Sequence, residues 1–393
     1  MSKRKANGEG SIVKRKDGRY MGRYTIDGKR YAVYGDTFEE TRMKLTEVLA
    51  GADKGIHIKS TRYTVSSWLR EWLATYALPT VKQSTYISYE SYVRLHLEPV
   101  LGSSKLSSLS IEQLQRFFNQ KKTVLSPKSL RNIYNMFHAC LEQAIINHYI
   151  PHNPLHGVKL PPVTKKEISI LTLEEQIALQ QATSLFPSIA AFGIIFTLST
   201  GIRLGELLGL QWRDLDSVNH TIRIRRTVGR LQKIDESGNL IPKAAGSTTT
   251  EIVTRSPKSK TAQRTIPLFP KIWDDLILYR DKQQTLLHAQ GIMLMPDTPI
   301  FSTPSGIVYE PRTYEDLFKR TLKAAHLPNI NFHALRHTFA TRALEAGMDI
   351  KVLSSILGHA QASTTLNLYA HALPNHKKIS MDKMGAFYGG MPG

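Results

Sequence analysis

The spacing of apolar positions divides the chain into three textures. Over SIVKRKDGRYMGRYTIDGKRYAVYG, apolar and polar residues alternate, and Asp17-Gly18 and Asp27-Gly28 interrupt the alternation. Period-two text broken by Asp-Gly predicts a small meander of antiparallel strands. TFEETRMKLTEVLAG follows, with Thr37 as N-cap and Glu40 three residues later, the signature of a capped helix. From Thr64 the period lengthens: Trp68, Leu69, Trp72 and Leu73 recur at helical spacing, and three further amphipathic stretches end near Ile150, with Gly102 and Pro127 between them. This predicts a compact all-α unit of four helices.

GVKLPPVTKKEI, with Pro161-Pro162, marks a boundary, and Thr172 with Glu175 caps a new helix beyond it. A mixed region follows, with helices predicted near 173–184, 188–199 and 204–211. Strand-rich text runs from Thr221 to Leu268, and helices resume to about Tyr369. The Gly-, Ser- and Thr-rich stretch from Lys233 to Thr254 reads as a hairpin extension. The expected architecture is therefore a multidomain α+β protein divided as 1–56, 62–158 and 165–393: a basic three-stranded sheet plus helix, a helical domain, and a mixed, mainly α domain with a β-hairpin region.

Charge changes what these elements are for. The 393 residues carry 52 Lys and Arg against 32 Asp and Glu, a formal net charge of +20. Such an excess points to a polyanion, with nucleic acid the usual one. The charge is dense at the start: ten Lys or Arg and three acids lie between Lys3 and Arg30. A sheet presenting Lys14, Arg15, Lys16, Arg19, Arg23, Lys29 and Arg30 among tyrosines suits a DNA major groove, which admits β-elements. The single cysteine, Cys140, excludes an intramolecular disulfide framework and any multi-cysteine zinc site. The N-terminus lacks the apolar run of a secretory signal, and no stretch reaches the ~18 apolar residues of a membrane span. A cytoplasmic protein acting on DNA, without membrane contact, is expected.

Several polar residues stand in apolar text. TGIRLGELLGL places Arg203 ahead of a short helix with Glu206 three residues on; a structural ion pair, or an arginine held ready for an anion, both explain this. HALRHTFATRALEAG puts His333 and Arg336 on one helix face, with His337 four residues from His333. The spacing resembles the HExxH zinc motif, but Ala334 stands where its glutamate belongs, so a metalloprotease is disfavoured. In LGHAQASTTLNLYAH, Gly358 ends a helix, His359 falls in a turn and Tyr369 follows in a resumed helix. Lys260, in SPKSKTAQRTIPL, lies in a predicted hairpin. Together these residues supply what phosphoryl transfer to a phenol requires. Two arginines grip non-bridging oxygens, histidines add hydrogen bonds and move a proton, and a lysine protonates a leaving alkoxide. A cationic pocket lets a tyrosine, ordinarily near pKa ~10, attack as phenolate. No metal and no cofactor are expected.

The order Arg203, Lys260, His333-x-x-Arg336, His359 and Tyr369 resembles the tyrosine recombinases over about residues 165–385. The helical region resembles their SAM-like core-binding domain, and the basic sheet the arm-type DNA-binding domain of phage and conjugative-transposon integrases. The resemblance implies that Arg203 and Arg336 clamp the scissile phosphate and that Tyr369 attacks it. It also implies Lys260 as general acid (Lys258 being the alternative), His333 as base, His359 bonding the phosphate, and Glu206 supporting the first arginine. It further implies core and arm sites on double-stranded DNA, a homotetramer in the synaptic complex, an excisionase and a DNA-bending accessory protein. Site-specific integration and excision of a mobile element is the expected function. A type IB topoisomerase-like relaxing enzyme and a DNA-binding regulator on a catalytically silent scaffold are the alternatives.

Overall fold

The computed structural model describes residues 10–26, 29–53, 63–163, 169–186, 188–242, 248–256, 263–359, 361, 363, 365–366, 381–382 and 384–385. Contacts divide the chain into two compact units, residues 1–165 with 235–239, and 166–234 with 240–393. Among the described residues no helix is long and apolar enough to cross a membrane.

In the first unit, β1 (Ser11–Lys14), β2 (Tyr20–Ile26) and β3 (Lys29–Gly35) form an antiparallel sheet in sequence order. The Asp17-Gly18 turn is closed by Arg15 N donating to Arg19 O at 2.8 Å, and Ile26 pairs with Lys29 in the register of β2 with β3. Residues 27 and 28, where the other Asp-Gly turn is expected, lie outside the described residues. Helix α1 (Phe38–Asp53) covers one face: Tyr20 meets Phe38 edge-on at 5.9 Å, and Tyr24, Thr41 and Leu45 are buried. Thr37 Oγ1 accepts from Glu40 N as expected, while the Glu40 carboxylate reaches back one residue further, to Asp36 N. Because strand neighbours alternate faces, the opposite face carries Arg23 beside Ala32, Thr25 beside Arg30 and Met21 beside Tyr34.

The helical part contains α2 (Val65–Trp72), α3 (Gln83–Tyr92), α4 (Glu98–Leu101), α5 (Ile111–Lys121) and α6 (Pro127–Ile146). A π-turn, Val93–Leu97, joins α3 to α4, so four rods result, as the sequence periodicity predicts. The Trp68, Leu69, Trp72, Leu73 stripe is buried with Phe117, Phe118 and Phe137. Each fully buried side chain of this size contributes about 1.5–3 kcal/mol. Trp68 Nε1 donates to Cys140 O at 3.1 Å, and burial raises the Cys140 thiol well above its ordinary pKa, which makes it a packing residue.

The second unit begins with α7 (Leu173–Leu185), held by the expected Thr172/Glu175 capping box, then α8 (Phe192–Thr200) and α9 (Leu204–Leu208). Helix α9 stops three residues short of the predicted end. Leu210 O there accepts from Ile300 N at 2.9 Å, and Arg226 Nε donates to Gly209 O at 3.2 Å, so the backbone is engaged across the fold. Strands β4 (Leu215–Asp216), β5 (Thr221–Ile224), β6 (Thr227–Gln232), β7 (Thr250–Arg255) and β8 (Arg264–Pro267) follow. They form a β4-β5-β8 sheet and a β6-β7 pair, the latter opening the hairpin expected at 233–254. Helices α10 (Pro270–His288), α11 (Pro311–Ala324), α12 (His333–Glu345) and α13 (Ile350–Leu357) complete the unit. Helix α8 runs through the core, with Phe196 5.5 Å from the Phe301 ring and Tyr314 and Phe318 in the same buried cluster.

Candidate active site

The ends of α8, α9, α13 and β8 converge on the first turn of α12. Helix α8 ends at Gly201, whose left-handed φ of 65° lets the chain reverse at once into Arg203. A Cβ there would stand 2.4 Å from the Phe339 ring, so only glycine fits. Arg203 precedes α9, and Glu206, 3% exposed, turns back on it. One carboxylate oxygen accepts from Arg203 Nη1 at 2.8 Å and the other from Arg203 N at 3.0 Å. The same second oxygen accepts from Arg264 Nη2 at 2.9 Å. Burial alone would raise the Glu206 carboxyl, but the Arg264 hydrogen bond and charge, with the charge of Arg203, outweigh it and lower its pKa. Glu206 is thus an ionised bridge between two guanidiniums.

Arg336, 1% exposed, is committed to backbone carbonyls: Nη1 donates to Gly201 O at 2.8 Å and Nη2 to Leu357 O at 2.7 Å. Two element ends are thereby tied to one side chain. Arg336 Nη2 also lies 2.8 Å from His359 Nε2, and His359 Nδ1 lies 2.8 Å from Thr365 Oγ1. Because a guanidinium only donates, Nε2 is the acceptor and the proton of the neutral ring is assigned to Nδ1, which donates to Thr365. Donation from Nε2 to a phosphate then requires a second proton or a tautomer exchange. Burial, followed by the charges of Arg336, Arg203 and Arg264, lowers the His359 pKa to about 4. His333 is lowered to about 4 by burial and then by His337, Arg336 and Arg203. The two imidazoles meet edge-on, His333 to His337, with centroids 4.7 Å apart.

Arg203, Glu206, His333, Arg336 and His359 are therefore brought together, from segments far apart in sequence. Lys258, Lys260 and Tyr369 lie outside the described residues. Two members of the cluster, Arg264 and Thr365, are absent from the sequence reading. Arg264 carries a signal related to that of Arg203, an arginine opening an apolar segment, here the TIPL of β8. The register Ile224 to Arg264 sets it at the start of β8, and its Nε also donates to Ile356 O. Thr365 is fully buried, and nothing in STTLNLYAH sets it apart from the polar residues around it. On the sheet, Arg23 and Arg30 are exposed on the face opposite α1, while Arg15, Lys16 and Arg19 occupy the β1–β2 turn, where Arg19 pairs with Asp17 at 3.1 Å. Lys14 lies 5.6 Å from the Tyr20 ring. The Lys29 side chain lies outside the described residues.

Comparison with known proteins agrees with this geometry. The phage integrase family profile matches residues 178–376, and the SAM-like N-terminal domain of phage integrases matches residues 64–122. A tyrosine recombinase XerC-like protein of Caldanaerobacter subterraneus subsp. tengcongensis is 28% identical over 370 residues, covering 91% of this chain and 92% of the relative. The Tn1549 transposon integrase, solved in complex with a circular intermediate DNA, superposes with a TM-score of 0.66 at 23% identity, covering 82% of this chain and 99% of that one. A lambda integrase tetramer bound to a Holliday junction gives a TM-score of 0.56 at 18% identity, covering 92% and 96%. With a profile spanning half its length and an arginine–histidine cluster inside the matched segment, the chain belongs to the phage integrase family of tyrosine recombinases.

Proposed function

We propose that this recombinase cuts and rejoins DNA at specific sites through a 3′-phosphotyrosyl intermediate, integrating and excising a mobile element. The reading is carried by one observation above the others: Arg203 and Arg336 are both anchored from behind, by Glu206 and by two carbonyls, around a cationic site. Such preorganised donors stabilise charge developing on the non-bridging oxygens without reorganising during the reaction. Tyr369 attacks phosphorus, its proton passing to His333, whose depressed pKa leaves a free base at neutral pH. The bond to the 5′ oxygen breaks, and Lys260 protonates that oxygen as it leaves. The partner strand's 5′-hydroxyl then reverses the step. One phosphodiester is exchanged for one phosphotyrosyl ester, so no nucleotide is consumed. His359 acts on the phosphate from beside Arg336.

The same proposal assigns residues 1–56 to arm-type sites, 62–158 to core sites and 165–393 to catalysis. Four protomers would act together on two duplexes, with an excisionase and a DNA-bending protein setting direction. Lys14, Arg15, Lys16, Arg19, Arg23, Lys29 and Arg30 would supply the arm-site contacts. A duplex carrying the element's end, nicked close to the cleavage position so that the short strand bearing the freed 5′-hydroxyl escapes, tests the chemistry. A covalent adduct that Tyr369→Phe loses while still binding the duplex is expected. Binding without an adduct in the wild type would favour a silent regulatory scaffold. Relaxation of supercoiled DNA without strand exchange would favour a topoisomerase.

A further inference from the structure

Three side chains of the helical part meet in an arrangement that the proposed reaction does not use. His138 and Glu142 stand one turn apart on α6, and His156 returns to them from a 3₁₀ turn, Pro154–Gly157. His138 Nε2 lies 3.5 Å, and His156 Nε2 3.3 Å, from Glu142 Oε1. All three ligand atoms lie within 4.8 Å of one another, and the two imidazole centroids are 5.0 Å apart. In a tetrahedral zinc site with bonds of about 2.0–2.1 Å, neighbouring ligand atoms are separated by about 3.3 Å. Two of the three edges are already near that length.

An ordinary helix-surface pair accounts for His138 and Glu142. It does not account for a second imidazole arriving from another element at the same oxygen. The arrival is built into the fold. Asn153, 2% exposed, donates Nδ2 to Glu142 Oε1 at 2.6 Å and accepts from Leu155 N at 3.0 Å, so one buried amide holds both the carboxylate and the turn that carries His156. Outer-shell amides and carboxylates of this kind fix ligand orientation in metal sites. The three ligand side chains remain 31%, 40% and 64% exposed, which leaves an ion access and room for water as a further ligand.

We propose that His138, Glu142 and His156 bind a divalent zinc-class ion that ties the chain leaving the helical part to its longest helix. Two imidazoles and one carboxylate are a donor set suited to zinc. The ion's role is structural, because binding to the folded state alone adds stability by mass action. The site is independent of cleavage, and so is its test.

The full chain is titrated with zinc against a fluorescent chelator, and its melting temperature is measured with and without zinc. The wild type should hold one equivalent more than His138→Ala/His156→Ala, and its zinc-dependent rise in melting temperature should exceed the variant's by several degrees. Glu142→Gln should weaken that equivalent by about tenfold or more. Cobalt(II) should give visible ligand-field bands in the wild type that the double variant lacks. Imidazoles elsewhere, including His333 and His337, also take up zinc, so the difference between proteins is the readout. If the double variant does not fold, His156→Ala alone serves, since its imidazole is the most exposed. Equal stoichiometry, affinity and zinc-dependent melting in wild type and variants would overturn the assignment.

Discussion

Arginine is used in opposite ways at the two ends of this chain. On the N-terminal sheet, Arg23 and Arg30 stand in solvent, and Arg19 pairs with Asp17 while its side chain stays 58% exposed. In the arginine–histidine cluster, the side chain of Arg264 is 5% exposed and Arg336 is 1% exposed. Exposed charges are screened over ~10 Å at 0.1 M salt, and an exposed pair contributes about 0–1 kcal/mol. The sheet can therefore accumulate like charges at little cost, and its effect on a polyanion grows with their number. A buried guanidinium has no such freedom, because unpaired it costs several kcal/mol. Each buried arginine is committed to particular oxygens, so the cluster acts as one body, whereas the sheet's charges act singly.

The largest test of this contrast is at Arg336. Arg336→Ala leaves Gly201 O and Leu357 O without their donors and should lower stability by about 3 kcal/mol, measured by urea denaturation. Arg336→Lys keeps the charge but cannot reach both carbonyls and a phosphate together, and adduct formation should fall by about 10²-fold or more. A lysine variant with wild-type cleavage would show that the cluster needs only charge, as the sheet does.

Glu206→Gln comes next. It leaves Arg203 and Arg264 facing each other across a neutral amide, and a loss of about 3 kcal/mol is expected, with slower cleavage. The effect depends on pH in a definite direction. The Glu206 pKa in the folded protein is below the ordinary 4.5, so its contribution is fully present above pH 4.5 and is lost as pH falls through the lower folded value. Wild type and Glu206→Gln should therefore differ most near neutrality and converge in acid. A constant gap down to the acid limit would mean that the carboxylate is not the bridge.

What the sequence made legible follows the range of the interaction. The Thr172/Glu175 box, the Trp68–Leu73 stripe, the end of α13 at Gly358 and the Arg203–Glu206 pair span a turn or two of chain, and local chemistry announces them. The early end of α9 depends on Ile300 taking the Leu210 carbonyl, and the role of Arg264 depends on the register between β5 and β8. Neither partner is a sequence neighbour, so no periodicity reports it. Arg336 was visible as a residue, but its anchoring to Gly201 and Leu357 was not, because carbonyl acceptors carry no sequence signature.

His359 tests the contrast more gently. Thr365→Val removes the acceptor for Nδ1 and should cost about 1 kcal/mol. The pH window is complementary to that of Glu206. His333 and His359 ionise near pH 4 when folded and near the ordinary 6.5 when unfolded, so the unfolded chain binds more protons between those limits. Their contribution is full above pH 6.5 and declines as pH falls towards 4. In thermal melts His359→Gln should flatten part of that decline. An unchanged slope would place the acid sensitivity elsewhere.

The smallest effect on stability should come from the sheet. Arg23→Ala and Arg30→Ala remove exposed charges from the face opposite α1, and each should change stability by less than ~0.5 kcal/mol. Binding to arm-site duplex should weaken, with the slope of log affinity against log salt reduced by about one for each arginine that contacts a phosphate. Cleavage of a suicide duplex carrying only a core site should be untouched, because no arm DNA is present for the sheet to hold. If Arg23→Ala instead slowed core-site cleavage as much as Arg336→Lys does, the two populations of arginine would be one functional unit. The division between additive surface charge and a committed buried cluster would then fail where it is most exposed to measurement.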